Sequence, residues 1–146
     1  MKRIGFISLL VALALGAGFA SVRLGASPIF KPHTIVYRLT SYDESGKPIQ
    51  TSVVIRRVLS DGTWKHTQIN QEGPPVYSNG KLKRQVTSRT AEATMPEHLG
   101  FKYIHEKGHD SEGWISPELQ DCLMFATYFE NGSKQSVLEA VNVSMP

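Results

Sequence analysis

The feature that most constrains this chain is the spacing of its turn signals. Asp61-Gly62, Asn79-Gly80 and Asn131-Gly132 are two-residue hairpin signatures, because glycine and a preceding Asn or Asp tolerate the positive φ angles that such turns require. Short runs rich in β-branched and aromatic residues flank them. These are Thr34 to Ser41, Ile49 to Leu59, Thr63 to Asn70, Val76 to Ser78, Lys81 to Ser88, Gly100 to Lys107, Glu112 to Ser116, Cys122 to Glu130 and Ser133 to Ser144. The punctuation predicts a mainly β protein, a curved antiparallel sheet or half-barrel meander. At most one short helix fits, over Ala91 to His98, where Pro96 limits it. Lys81, Lys83 and Arg84 mark an expected edge strand, because lysine on an edge discourages pairing with other chains.

Ahead of the β region, Lys2 and Arg3 form a positive head and Ile4 to Ala20 is an apolar run without a charge, an N-terminal helix in expectation. The pattern is that of an export signal, and residues 1–20 are read as a signal peptide or a membrane anchor. Gly18 and Ala20 are the small residues that a signal peptidase reads, so cleavage is expected after Ala20. The run also reaches the roughly 18–20 residues of a membrane span, so retention through residues 4–22 is the alternative. Residues 21–33, with Gly25, Pro28 and Pro32, read as a tether, and 34–146 as one antiparallel β domain. The expected location is exported, periplasmic or extracellular.

Charge and cysteine content remove several function classes. The whole chain carries +3, but two of its sixteen Lys and Arg lie in the leader, leaving fourteen against thirteen acids, or +1. That balance excludes a nucleic-acid partner. The charges are unevenly spread, near +7 over residues 21–90 and near −6 over 91–146, as expected if strands from the two halves pair with opposite charges side by side. Cys122 is the only cysteine, so no intramolecular disulfide can form, and its neighbours Leu123, Met124 and Phe125 make it a buried apolar residue in expectation. No Walker loop, dinucleotide fingerprint or nucleophile elbow occurs after the leader, and no cofactor is expected.

Two sets of residues are candidate sites. Trp64 and Trp114, each following a glycine-containing turn, together with Phe101 and Tyr103, are expected to line a ligand cavity or to pack the core. His105-Glu106-Lys107-Gly108-His109 has the H-E-x-x-H spacing of zinc hydrolases, which need both histidines on one helical turn. Gly108 inside the pattern and the strand-like alternation of Phe101 to Ile104 argue against that helix, leaving His105 and His109 as candidate ligands of a non-catalytic metal or as solvated turn residues.

Arg56-Arg57-Val58-Leu59-Ser60-Asp61-Gly62-Thr63-Trp64 resembles the R-x-V-x-S-D-G-x-W segment of uncharacterised exported bacterial β-sheet proteins. Leu99 to Lys102, Trp114-Ile115-Ser116-Pro117-Glu118-Leu119 and the hairpin through Asn131-Gly132 are similar to their C-terminal half. The layout also resembles the periplasmic lipoprotein carriers, whose curved sheet holds an acyl chain. The resemblance implies an exported, non-enzymatic binding protein, with a lipid or other apolar or amphiphilic ligand as the implied partner. The alternatives are a membrane-anchored interaction module and, through the H-E-x-x-H spacing, a zinc-dependent hydrolase.

Overall fold

A computed structural model of the chain describes residues 30–82 and 97–146. Strands make up 65% of these residues, and no helix occurs among them. In chain order they are β1 (His33–Tyr42), β2 (Pro48–Val58), β3 (Thr63–Ile69), β4 (Val76–Lys81), β5 (Glu97–His98), β6 (Phe101–Lys102), β7 (Ile104–Lys107), β8 (Ser111–Ser116), β9 (Asp121–Tyr128) and β10 (Lys134–Ser144). Eight form one antiparallel sheet in the order β4-β3-β2-β1-β10-β9-β8-β7, and β5 pairs with β6 alone. The sheet does not close, and β4 and β7 are its edges. The apolar run at 4–22, the tether up to residue 29 and most of the expected helix at 91–98 lie outside the described residues. Of that helix, Glu97 and His98 are described, and they are strand β5.

The turn chemistry works as expected at two of the three signatures. Gly62 (φ 87°) and Gly132 (φ 84°) sit in the β2–β3 and β9–β10 turns in the left-handed region that glycine enters without penalty. Asn79-Gly80 is different: both residues lie within β4, and the turn before that strand falls at Gly73 (φ 86°) instead. Gly80 is there for clearance. It pairs with Trp64 on β3, and a Cβ at Gly80 would stand 2.3 Å from the indole ring.

Alternation divides the sheet into two faces. Ile35, Tyr37 and Leu39 of β1, Val54 of β2, Phe125 of β9 and Leu138 and Ala140 of β10 build the main buried core. Phe30, Val58, Trp64 and Leu82 form a second cluster beside it. On the opposite face one cross-strand row runs Ile69, Val53, Arg38, Glu139, Met124, Trp114, His105 from β3 to β7.

The buried face is concave, because contacts join strands that are not neighbours. β9 stands three places from β2 in the strand order, about 14 Å away in a flat sheet with strands about 4.8 Å apart. Yet the Asp121 carboxylate at the start of β9 lies 3.0 Å from Arg56 of β2. The Tyr37 hydroxyl likewise donates to the Cys122 carbonyl at 2.6 Å. The start of β9 has therefore left β10 and folded across the buried face. The turn that delivers it is held by backbone donation from Gln120 to Ser116 at 2.8 Å, with Gln120 in the left-handed region at φ 55°.

The two oppositely charged halves meet as the sequence implies. β1 pairs with β10, and Lys31–Glu118, Arg38–Glu139 and Arg56–Asp121 each join a base of the first half to an acid of the second.

Candidate functional site

The most unusual chemistry in the molecule is an ionic cluster buried on the concave face. Arg56 and His66 are direct cross-strand partners on β2 and β3, since the turn around Asp61 sets residues 56 and 66 opposite each other. Arg56 is 0% exposed and its Nε lies 3.0 Å from Asp121 Oδ2. The same carboxylate oxygen accepts from His33 Nε2 at 2.8 Å, and Asp121 Oδ1 accepts from the Cys122 backbone N–H at 2.9 Å. The other ring nitrogen of His33, Nδ1, donates to the Lys31 carbonyl at 2.6 Å. Both ring nitrogens of His33 are thus engaged by neighbouring oxygens.

Arg56 continues the network in the other direction. Its Nη1 donates to His66 Nε2 at 3.1 Å, and its guanidinium carbon stands 5.3 Å from the centre of the Trp64 ring, within cation–π reach. His66 packs on the same indole, with ring centres 4.3 Å apart.

The electrostatics follow from this geometry. Burial, reinforced by the Arg56 charge, pushes the His66 ring down to about 3, so it stays neutral. Burial acts to raise the Asp121 carboxyl, but Arg56 and the His33 hydrogen bond outweigh it and hold the group below the usual carboxylate range. Burial, and then the Asp121 charge, raise both the Tyr37 hydroxyl and the Cys122 thiol. Cys122 is thus a buried, protonated thiol, and no reactive thiolate forms there.

The residues singled out from the sequence are distributed differently. Trp64 belongs to the ionic cluster and the second apolar cluster. Phe101 and Tyr103 pack, half-buried, against the main core. Trp114 is on the opposite face, stacked on His105 with ring centres 4.8 Å apart. The four aromatic residues therefore do not surround one cavity. His105 lies on β7, where its Nε2 donates to Glu112 at 3.2 Å, and Glu112 also accepts from the Tyr128 hydroxyl at 2.7 Å. His109 is in the following turn, almost fully exposed and bonded to Asp110. The H-E-x-x-H residues thus lie on a hairpin, without the helical turn that a zinc hydrolase uses, and no group of three or more His, Cys, Asp or Glu suited to a metal occurs among the described residues.

A cavity of about 320 Å³ opens where the start of β1, the end of β2 and the end of β10 meet. Pro32, Val58, Leu59 and Met145 give it apolar walls, and His33 and Arg57 its polar corners.

Comparison with family models, curated proteins and solved structures finds no match. The site stands on its own geometry.

Arg56, His66, Asp121 and His33 were not singled out from the sequence. The signal for two of them is present: Ser52, Val54, Arg56 and Val58 alternate onto one face, and a turn centred on Asp61 puts His66 opposite Arg56. Asp121 had no such signal, because its partners are about 65 and 88 residues away in sequence and depend on the curl of the sheet.

Proposed function

We propose that the chain is an exported, non-enzymatic binding protein that takes a small apolar or amphiphilic ligand in the cavity at the β1–β2–β10 end. The observation that carries this reading is the cavity itself. At about 320 Å³, with walls from Pro32, Val58, Leu59 and Met145, it is of the size and character of a site for one short apolar group. Arg57 at its rim offers a charged partner for a head group. A binding role also suits the residues there, since both nitrogens of His33 are engaged and neither is free to act as a base. The Lys2-Arg3 head and the apolar run behind it support the exported location, as does the resemblance of Arg56 to Trp64 to exported β-sheet proteins.

The test is titration with decanoate and decanol, followed by native mass spectrometry. Saturable binding of either, lost in Leu59→Glu, is expected. Leu59 is 40% exposed, so the substitution puts a charge in the wall without disturbing the core. No binding, or binding indifferent to Leu59→Glu, overturns the reading.

A membrane-anchored interaction module is favoured by a different observation. The outer face near edge strand β4 exposes Tyr77 (72%), Ile69 and Val53 together, and β4 has one backbone edge without a partner strand among the described residues. That reading requires a chain that retains Met1 in the exported fraction, whereas a mass beginning at Ser21 removes its tether.

A further inference from the structure

Alternation lays a polar row across the outer face at the end of the sheet where the cavity opens. Asn79, Lys65, Arg57, Thr34 and Ser144 are direct cross-strand partners from β4 to β10. The chain neighbours of Lys65, Arg57 and Thr34 are all buried on the concave face, so these three side chains point outward. Arg57, Thr34 and Ser144 also line the cavity, beside its apolar walls at Leu59 and Met145.

The charges in this row are unbalanced. Arg57 and Lys65 stand directly opposite each other, an arrangement of like charges that destabilises a strand pair. Neither enters an ion pair among the described residues. Elsewhere on the same face the arrangement is the opposite: Arg38 has Glu139 as its cross-strand partner, with Nη2 donating to Oε2 at 2.9 Å. The row between, from Tyr77 to Asn142, carries no charge. On the other side, Asp61 of the β2–β3 turn is engaged by the Thr63 N–H at 2.8 Å, and Lys81 opposite Thr63 adds a further cation. Two permanent positive charges therefore stand at the mouth of the cavity with no acid in their own row.

Building on the reading of the cavity as a ligand site, we propose that this site takes a phosphate group, held by Arg57 and Lys65 with the Thr34 and Ser144 hydroxyls beside it. A phosphate monoester carries about −1.5 to −2 charges at neutral pH and three strong acceptor oxygens, so it balances two cations where a carboxylate balances one. The arginine fork takes two phosphate oxygens side by side, and a lysine binds phosphate as a point charge. Directly opposite residues have Cβ atoms about 5 Å apart, within the span of two long side chains closing on one group. The phosphate can be the head of an amphiphile whose apolar part lies against Leu59 and Met145, or a free phosphate, and the experiment separates the two sources.

The protein is titrated calorimetrically with decyl phosphate, decanoate, decanol and inorganic phosphate, at neutral pH and matched ionic strength. Decyl phosphate is expected to bind roughly tenfold or more tightly than decanoate or decanol, with the preference lost in Arg57→Gln and in Lys65→Gln. That result supports the site and assigns it the head of an amphiphile. Inorganic phosphate saturating the protein as tightly as decyl phosphate, and failing to do so in Lys65→Gln, supports the site with free phosphate as its ligand and overturns the apolar reading of the cavity. Decyl phosphate that binds no more tightly than decanol, or a preference that survives Lys65→Gln, overturns the phosphate proposal while the decanol binding upholds the cavity. Binding of none of the four overturns both. Lys65→Glu controls for folding. It places an acid opposite Arg57, as Glu139 stands opposite Arg38, so it is expected to raise Tm while abolishing the phosphate preference; a preference retained in this variant overturns the proposal.

Discussion

Acidification is expected to destabilise this protein largely through His66. The ring is held at about 3 in the folded chain against an ordinary value of 6.5, because burial and the Arg56 charge oppose its protonation. The folded value is the lower one, so the stability it confers is present above pH 6.5 and drains away as pH falls toward 3. Between pH 7 and pH 5 the unfolded ring takes up almost one proton that the folded ring refuses, a loss of about 2 kcal/mol at about 1.4 kcal/mol per pH unit. In a domain of this size that corresponds to a fall in Tm of about 10 °C. Asp121 adds to the loss only as pH drops below its ordinary 3.8. His109, raised by its exposed bond to Asp110, works in the opposite direction and cannot imitate the effect. The assay is urea unfolding at the two pH values in constant chloride, on the native chain and on His66→Gln. The Gln amide oxygen can still accept from Arg56 but does not titrate. The variant is expected to lose about 2 kcal/mol less than the native chain between pH 7 and pH 5. Parallel losses in the two proteins would refute the reasoning.

Three further outcomes are expected. Asp121→Leu alone strands Arg56 and costs about 3–5 kcal/mol in urea unfolding, whereas the double change Arg56→Met with Asp121→Leu recovers most of it. Tyr37→Phe removes the donor to the Cys122 carbonyl and lowers stability by about 1–3 kcal/mol, read from the same midpoints. Gly80→Ala drives a methyl to within 2.3 Å of the Trp64 ring, and is expected to shift Trp64 fluorescence and lower Tm more than Gly46→Ala, where a Cβ meets open space and only the φ of 87° is strained.

The sequence made the strands legible because turn chemistry and alternation are local. Asp61-Gly62 and Asn131-Gly132 announced their hairpins, and β1 to β3 fall close to the expected runs. Asn79-Gly80 misled for a physical reason: a glycine needed for a positive φ and a glycine needed for space look alike in sequence, and only the Trp64 ring lying over Gly80 separates them. The site was harder to read. An arginine in an alternating strand looks like a solvated residue until its partners are known, and the partners of Arg56 come from β3 and from the far end of the chain. Grouping Trp64 with Trp114 joins residues that the pleat sends to opposite faces, which neither one's place after a turn reveals.

The pairing of β1 with β10 also fixes when this protein can finish folding. Arg38 and Glu139 meet across the middle of the sheet although they are 101 residues apart in the chain. The hairpins on either side are local and can form as soon as their own residues are free, but the seam that joins them waits for the last strand. Until β10 arrives, β1 offers an open edge in the middle of the future sheet, and until Asp121 of β9 folds in beside it His33 and Arg56 have no carboxylate to meet. A chain built this way keeps its central seam open until strands from both halves are present, so neither half can be sealed by its own hairpins alone.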